Sequence, residues 1–487
     1  MVLDYWLPSI SQAELDFLRC AYGVLLLITL LVTVPQGKRF FVSENWGGYA
    51  ESCTLIDGIH NPVVYPICMV LWLACSACLV AGWFSPWAAL LNLLICRYYC
   101  LRIRWKTLLR GLGAPGFMIS WLAMAVFLLE FCSHLAPRLV PFALLTLQID
   151  LAFVFFTSGF YKLNSGYLRG EGLEYALVNR QWCYWWNSYR KLSPSNEIFW
   201  IYDQLAWGGQ ILASILFLLP GTRLYGAAAL FLCFGFVATH LRLLLLPQMV
   251  MLSCLLYIDP GSLPYAYLIN IFTLAPSSGA ALGELPEWCQ KFILAAMWMY
   301  LVLLPFIYGG LFCNFYLRKT LPGPIQKFTE WYANFAGIIL WRVFSADITH
   351  FFIMICQVSG VAGERKLISR WGLSNGLRFS HVGEALTVTS LFMMLKYQPD
   401  NLEMFHARLI RYAKTLPGFP DSALIFEFNN IEKSETEFIY RPIAEFEVRN
   451  GLVTERAIDP NFSPRRFMPK SRAVAVTRAG SYLPARR

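Results

Sequence analysis

Apolar residues run almost unbroken through nine stretches, near 17–34, 62–82, 86–101, 114–134, 141–161, 201–219, 224–244, 249–270 and 291–313. About 20 apolar residues in an α-helix cross roughly 30 Å of hydrocarbon, so each stretch predicts a membrane span. Asp259, Pro260 and Gly261 interrupt the eighth. Such a break persists in a membrane only where protein or a water-filled cavity satisfies the freed backbone. The pattern then changes. Between 328 and 357, Trp331, Phe335 and Ile338–Trp341 form an apolar stripe interrupted by Arg342, Asp347 and His350. That is the pattern of a helix lying in the membrane interface.

Charged pairs return beyond residue 358, where a helix is expected at 402–415. Two β-rich runs, Ala423–Asn430 and Glu437–Val448, predict a hairpin, and Asn450–Gly451 predicts a type I′ turn into Leu452–Ala457. The expected fold is an all-α polytopic helical bundle of about nine spans over 1–327. An interfacial amphipathic helix at 328–357, a small soluble α+β domain at 358–459 and a basic, disordered tail at 460–487 follow.

Composition agrees with a multi-pass integral membrane protein. The 487 residues are 57% hydrophobic and only 14% charged, against about 25% charged in soluble domains. Mean hydropathy is +0.50. A disordered chain, a collagen-like chain and an ordinary cytosolic enzyme are excluded. Aromatic residues make up 16% of the chain, and amphipathic rings favour the membrane–water boundary. Asp4, Glu14 and Asp16 precede the first span without a Lys or Arg, the reverse of a signal peptide. The first span is expected to direct insertion.

Charge is uneven along the chain. Seven basic residues and no acidic ones lie in 460–487, out of a net charge of +10. Such a tail either lies on anionic membrane lipid, at about 1 kcal/mol per basic residue, or is simply solvated. No nucleic-acid reader module accompanies it, so nucleic acid is not an expected partner. Arg97, Arg102, Arg104, Lys106 and Arg110 cluster in one loop; Lys162, Arg169, Arg180, Arg190 and Lys191 cluster in another. The positive-inside rule puts both on the cytoplasmic side.

Most of the fourteen cysteines lie within apolar runs, where a free thiol packs as a small hydrophobe. Cys53, Cys183 and Cys289 lie in connecting segments and are able to pair. No metal-ligand spacing, phosphate loop or nucleophile elbow is present, and the six His are scattered.

The most informative stretch is Tyr161–Trp182. Lys162 closes an apolar span that already holds Gln148 and Asp150. A Lys at a boundary commonly snorkels to the headgroups; a desolvated amine there is instead a usable base near neutrality. An ionisable group as deep as Asp150 is a candidate for function, or pairs with an Arg of a neighbouring helix. A second cluster runs from Leu218 to Gly226 with Arg223, and His240 closes the next span. A tight interhelical turn and a structural histidine are the simpler explanations of that cluster.

Together the two clusters resemble the vitamin K-dependent γ-carboxylase and the wider group of horizontally transferred transmembrane (HTTM) domain proteins. The residues that carry the resemblance are Lys162, Leu163, Tyr167, Gly170, Glu174, Tyr175 and Trp182. They are followed in order by Leu218, Leu219, Pro220, Thr222, Arg223, Gly226 and His240. It covers roughly residues 10–260. The resemblance implies that Lys162 is a base that deprotonates a lipid quinol, with His240 as a second catalytic residue. By the same resemblance Asp150, Tyr167, Glu174, Tyr175 and Arg223 line or brace the pocket, and no metal is needed. Oxygenation of the quinol would then drive carboxylation of a glutamate. The chain departs from the pattern in having Asn164 where the family has an acid, and apolar residues at 243–246 where it has Asn-Ser-Gln. Two further readings stand beside the enzyme. One is a non-catalytic membrane maturation or assembly factor that binds a protein partner through 358–459. The other is a transporter, disfavoured because no paired broken helices are evident.

Overall fold

The computed structural model describes residues 6–33, 37, 41–46, 58–102, 113–163, 166–277, 283–317, 319–341, 349–359, 364–368, 402–414, 416 and 418–456. The basic tail at 460–487 lies outside them. The chain divides into two compact units. A helical unit comprises Met1–Arg169, Ile201–Thr239 and Leu243–Val343; a sheet unit comprises Gly170–Trp200, His240–Arg242 and Phe344–Arg487.

The main helices are α1 (Gln12–Thr33), α2 (Val64–Ala81), α3 (Ser85–Cys96), α4 (Gly113–Leu135), α5 (Val140–Leu163), α6 (Glu197–Leu218), α7 (Arg223–His240), α8 (Glu287–Phe315) and α9 (Gly323–Ala336). Among the described residues six segments are long and apolar enough to cross a membrane: Gln12–Val32, Val64–Ala81, Gly116–Leu135, Pro137–Leu163, Pro220–His240 and Glu287–Asn314. Three of the nine expected spans are not of this kind. The stretch at 86–101 is the 12-residue α3 continued by a wider π turn over Arg97–Arg102. The stretch at 201–219 is a full-length helix, α6, whose apolar run is diluted by Asp203, Gln204 and Gln210. The eighth breaks, as its Asp-Pro-Gly interruption predicted, into Leu246–Tyr257 and Leu263–Phe272.

Polar groups inside the helical unit are joined to one another. Trp72 Nε1 donates to Asn92 Oδ1 at 2.9 Å, Asn92 Nδ2 to the Tyr22 hydroxyl at 3.0 Å, and that hydroxyl to the Ile119 carbonyl at 3.1 Å. This chain of bonds ties α1, α2, α3 and α4 together. A buried polar group without such a partner would cost about 1–3 kcal/mol. Arg19 is buried as well, 3.2 Å from Asp16 and 3.3 Å from Glu130 of α4.

The amphipathic helix is α9, which is shorter and begins earlier than the predicted 328–357. Gly337 ends it. Its outer face exposes Ile325, Phe328, Trp331 and Phe335, while Thr329, Tyr332 and Ala333 are buried. The apolar run from Phe351 is a strand instead, the first of a five-stranded antiparallel sheet. The strands are β1 (Phe351–Ser359), β2 (Glu364–Leu367), β3 (Ala423–Lys433), β4 (Phe438–Arg449) and β5 (Leu452–Arg456), in the order β2-β1-β3-β4-β5. In β1 the consecutive residues Phe351, Phe352 and Ile353 are all buried, so the run lacks the alternation of a half-exposed strand and looks helical in sequence. The expected hairpin is β3–β4, and Asn450 (φ 52°) and Gly451 (φ 77°) make the tight turn into β5. A helix α10 (Leu402–Ala413) packs on the sheet through Phe405 against Phe428 and Phe446, and Tyr412 against Phe426.

Candidate functional site

Lys162 is on the last turn of α5 and is 4% exposed. Snorkelling therefore does not describe it. Its Nζ donates to Gln210 Oε1 at 2.7 Å and to Ser158 Oγ at 3.2 Å. Both acceptors are neutral, and among the described residues no carboxylate forms an ion pair with it. The ring of Tyr167 lies with its centroid 6.0 Å from Nζ. Tyr167 is fully buried, and its carbonyl accepts from Gln204 of α6 at 3.0 Å. Burial, with the Asp203 carboxyl nearby, pushes the Tyr167 phenol well above its ordinary range.

Local packing explains why Gln210 reaches the amine. A Cβ on Gly159 would stand 2.8 Å from Ile211 Cγ1, 3.0 Å from the Trp207 carbonyl oxygen and 3.2 Å from Gln210 Cβ. Only a glycine lets α5 and α6 approach this closely. Gly226 does the same between α7 and α6, where a Cβ would stand 2.9 Å from the Ala213 carbonyl oxygen. The lysine is thus held at a three-helix junction, with Cys233 of α7 near enough to feel its charge.

The other predicted residues divide. Arg223 is buried on α7, ten residues and so about 15 Å from Cys233 at 1.5 Å per residue. It donates to the Trp6 carbonyl at 3.1 Å, and its charge acts on Asp259. It is not a neighbour of Lys162. Asp150 is twelve residues before Lys162 on α5, about 18 Å along the helix axis. It accepts from Trp121 Nε1 at 2.7 Å and from the Tyr300 hydroxyl at 2.9 Å. A cavity of about 290 Å³ opens at Asp150, and Lys162 is not among its lining residues.

Glu174, Tyr175 and His240 belong to the sheet unit. Glu174 is buried and lies 3.3 Å from Lys433 at the end of β3. Tyr175 stacks on His350 with ring centroids 3.7 Å apart. Its phenol is pushed up to about 12, chiefly by burial. His240 ends α7; its carbonyl accepts from Tyr184 N at 2.9 Å, and its ring is 6.0 Å from that of Tyr189. The following segment is fastened as well. Asn179 donates to the carbonyls of Thr349 and Phe351, and the Tyr440 hydroxyl to that of Val178. Glu174 and Tyr175 thus hold 170–182 on the sheet.

Burial pushes the Glu174 carboxyl up to about 7, against the opposing pull of Lys433. The folded-state value lies above the ordinary 4.5, so folding favours the protonated acid. The contribution of Glu174 to stability is therefore greatest below about pH 4.5 and falls as the pH rises toward 7, on the order of 1–2 kcal/mol with a partly exposed partner. The melting temperature of the purified protein should decline over that window, and Glu174→Gln should flatten the decline. A slope unchanged by the substitution would contradict this assignment.

The buried Asp16–Arg19–Glu130 cluster escaped the sequence analysis. Its members lie on two helices over 110 residues apart, and the signal was a lone charge in each of two apolar runs, Arg19 and Glu130. Among the described residues there is no group of three His, Cys, Asp or Glu placed to hold a metal ion, and Cys183 and Cys289 are free thiols. Comparison with protein families, curated proteins and solved structures finds no match to this chain.

Proposed function

We propose that the chain is a multi-pass integral membrane protein whose helical unit carries a lysine-based acid–base site for a lipophilic hydroxyl. The observation that supports this best is Lys162 itself. A lysine that only anchors a helix reaches for headgroups or an acid. This one is buried on two neutral acceptors, with no described carboxylate to hold it as an ammonium. Gln210 and Ser158 aim the amine, and the close packing at Gly159 fixes Gln210. An amine so held can accept a proton from a weakly acidic hydroxyl.

The resemblance to the γ-carboxylase group adds the substrate class, a lipid quinol. The amine and the buried aromatic wall of Tyr167 suit such a group. When bound, a quinol would supply an acidic hydroxyl and two electrons. The apolar surroundings of α5, α6 and α7 would keep water from the deprotonated oxygen. Mass spectrometry of lipids extracted from the purified protein tests this reading. A co-purified isoprenoid quinone, depleted in Lys162→Ala, is expected; an extract without quinone would count against it.

A second reading, a membrane factor that matures or assembles a partner, is favoured by one observation. Two residues of the carboxylase-like pattern, Glu174 and Tyr175, are engaged by Lys433 and His350. On that reading the sheet unit is the binding module.

A further inference from the structure

The cavity at Asp150 plays no part in the lysine chemistry, yet it is built like a ligand site. Five elements of the helical unit form it: the π turn at Arg97, α4, α5, α8 and the end of α9. Phe117, Met124, Leu147, Val154 and Met297 make its walls apolar. At about 290 Å³ it is at the small end of ligand pockets, which run from roughly 300 to 1,000 Å³. The polar groups are few and fixed, as in binding sites generally.

Asp150 sets the chemistry. Trp121 donates a hydrogen bond to one carboxylate oxygen and Tyr300 to the other. Each carboxylate oxygen can accept more than one hydrogen bond. Acceptor capacity therefore remains on the cavity side, and it calls for a donor. Arg97 also lines the cavity while donating to the Asn334 carbonyl at 2.7 Å. With one acidic and one basic side chain on the wall, no net charge is demanded of a ligand. Phe292 lines the cavity and is 72% exposed on α8, whose Glu287–Asn314 segment is apolar enough to cross a membrane.

We infer that the Asp150 cavity binds a neutral lipophilic molecule that presents a hydroxyl to the carboxylate, a long-chain or isoprenoid alcohol or a phenol. The inference concerns this cavity alone and stands whether or not Lys162 acts as a base. The test uses the full chain in detergent with two photoactivatable probes, a diazirine-bearing octanol and its methyl ether. The alcohol should label residues of the cavity wall saturably, and the ether, which cannot donate, at least tenfold less. Ser120→Phe, which fills the cavity from α4, should reduce labelling by the alcohol at least tenfold without lowering the melting temperature. The probe comparison needs only the unaltered protein, so it decides even if Ser120→Phe does not fold. Equal labelling by both probes, no saturable labelling, or a folded Ser120→Phe protein labelled normally would overturn the inference.

Discussion

Replacing Arg19 with Met should cost about 3–5 kcal/mol and remove most of the folded protein. Arg19 has no solvent-exposed surface. Its guanidinium lies between Asp16 and Glu130, at 3.2 and 3.3 Å, and also donates to the carbonyls of Leu79 and Pro276. Met conserves length and apolar stem but leaves two buried carboxylates without the cation between them. Losing one partner of a buried set costs far more than losing the set. Adding Glu130→Gln to Arg19→Met should therefore restore part of the stability. Arg19→Lys should recover less than wild type, since an ammonium cannot fork toward several acceptors. Thermal melting in detergent checks all three. An Arg19→Met protein as stable as wild type would mean the cluster is not structural.

Gly159→Ala should cost about 1–3 kcal/mol by overpacking and impair function more than that figure suggests. The new methyl would meet Ile211, the Trp207 carbonyl and Gln210 at 2.8, 3.0 and 3.2 Å. A side chain can turn away from such a contact, but a helix backbone cannot. The helix α6 must move, and Gln210 with it. The 2.7 Å bond from Lys162 to Gln210 would lengthen or break. Gly208, which faces no atom within 4 Å, is the control; Ala there should be tolerated. Melting temperature and the function of Lys162 should fall together in Gly159→Ala and in neither respect in Gly208→Ala.

Legibility in the sequence followed the range of the interaction. The β3–β4 hairpin, the Asn450–Gly451 turn, the helix after 402 and the break at Asp259–Gly261 were readable because each is set by a few consecutive residues. Lys162 was readable as a candidate from its place at the end of a span. Its burial was not, because that depends on Gly159 admitting α6, a contact between distant segments. The strand at Phe351–Ser359 stands where the sequence predicts the end of an interfacial helix, because its buried run Phe351–Ile353 shows no alternation. The apolar stretches at α3 and α6 differ from the six long apolar segments in length and in polarity respectively. The spacing of Glu174 and Tyr175 gives no sign of Lys433 and His350, their partners in the fold, because these lie far along the chain.

The central claim is that Lys162 acts through its proton, and one comparison tests it most directly. Arg keeps the charge at position 162 but does not give up a proton in a protein, while Ala removes the charge altogether. Wild type, Lys162→Arg and Lys162→Ala would be purified in detergent, matched for melting temperature, and followed for oxygen consumption with an added lipid quinol. The account predicts quinol-dependent consumption by wild type and its loss in both variants to the same background. An Arg variant that consumes oxygen at the wild-type rate, or a wild-type protein with no such activity, would contradict it.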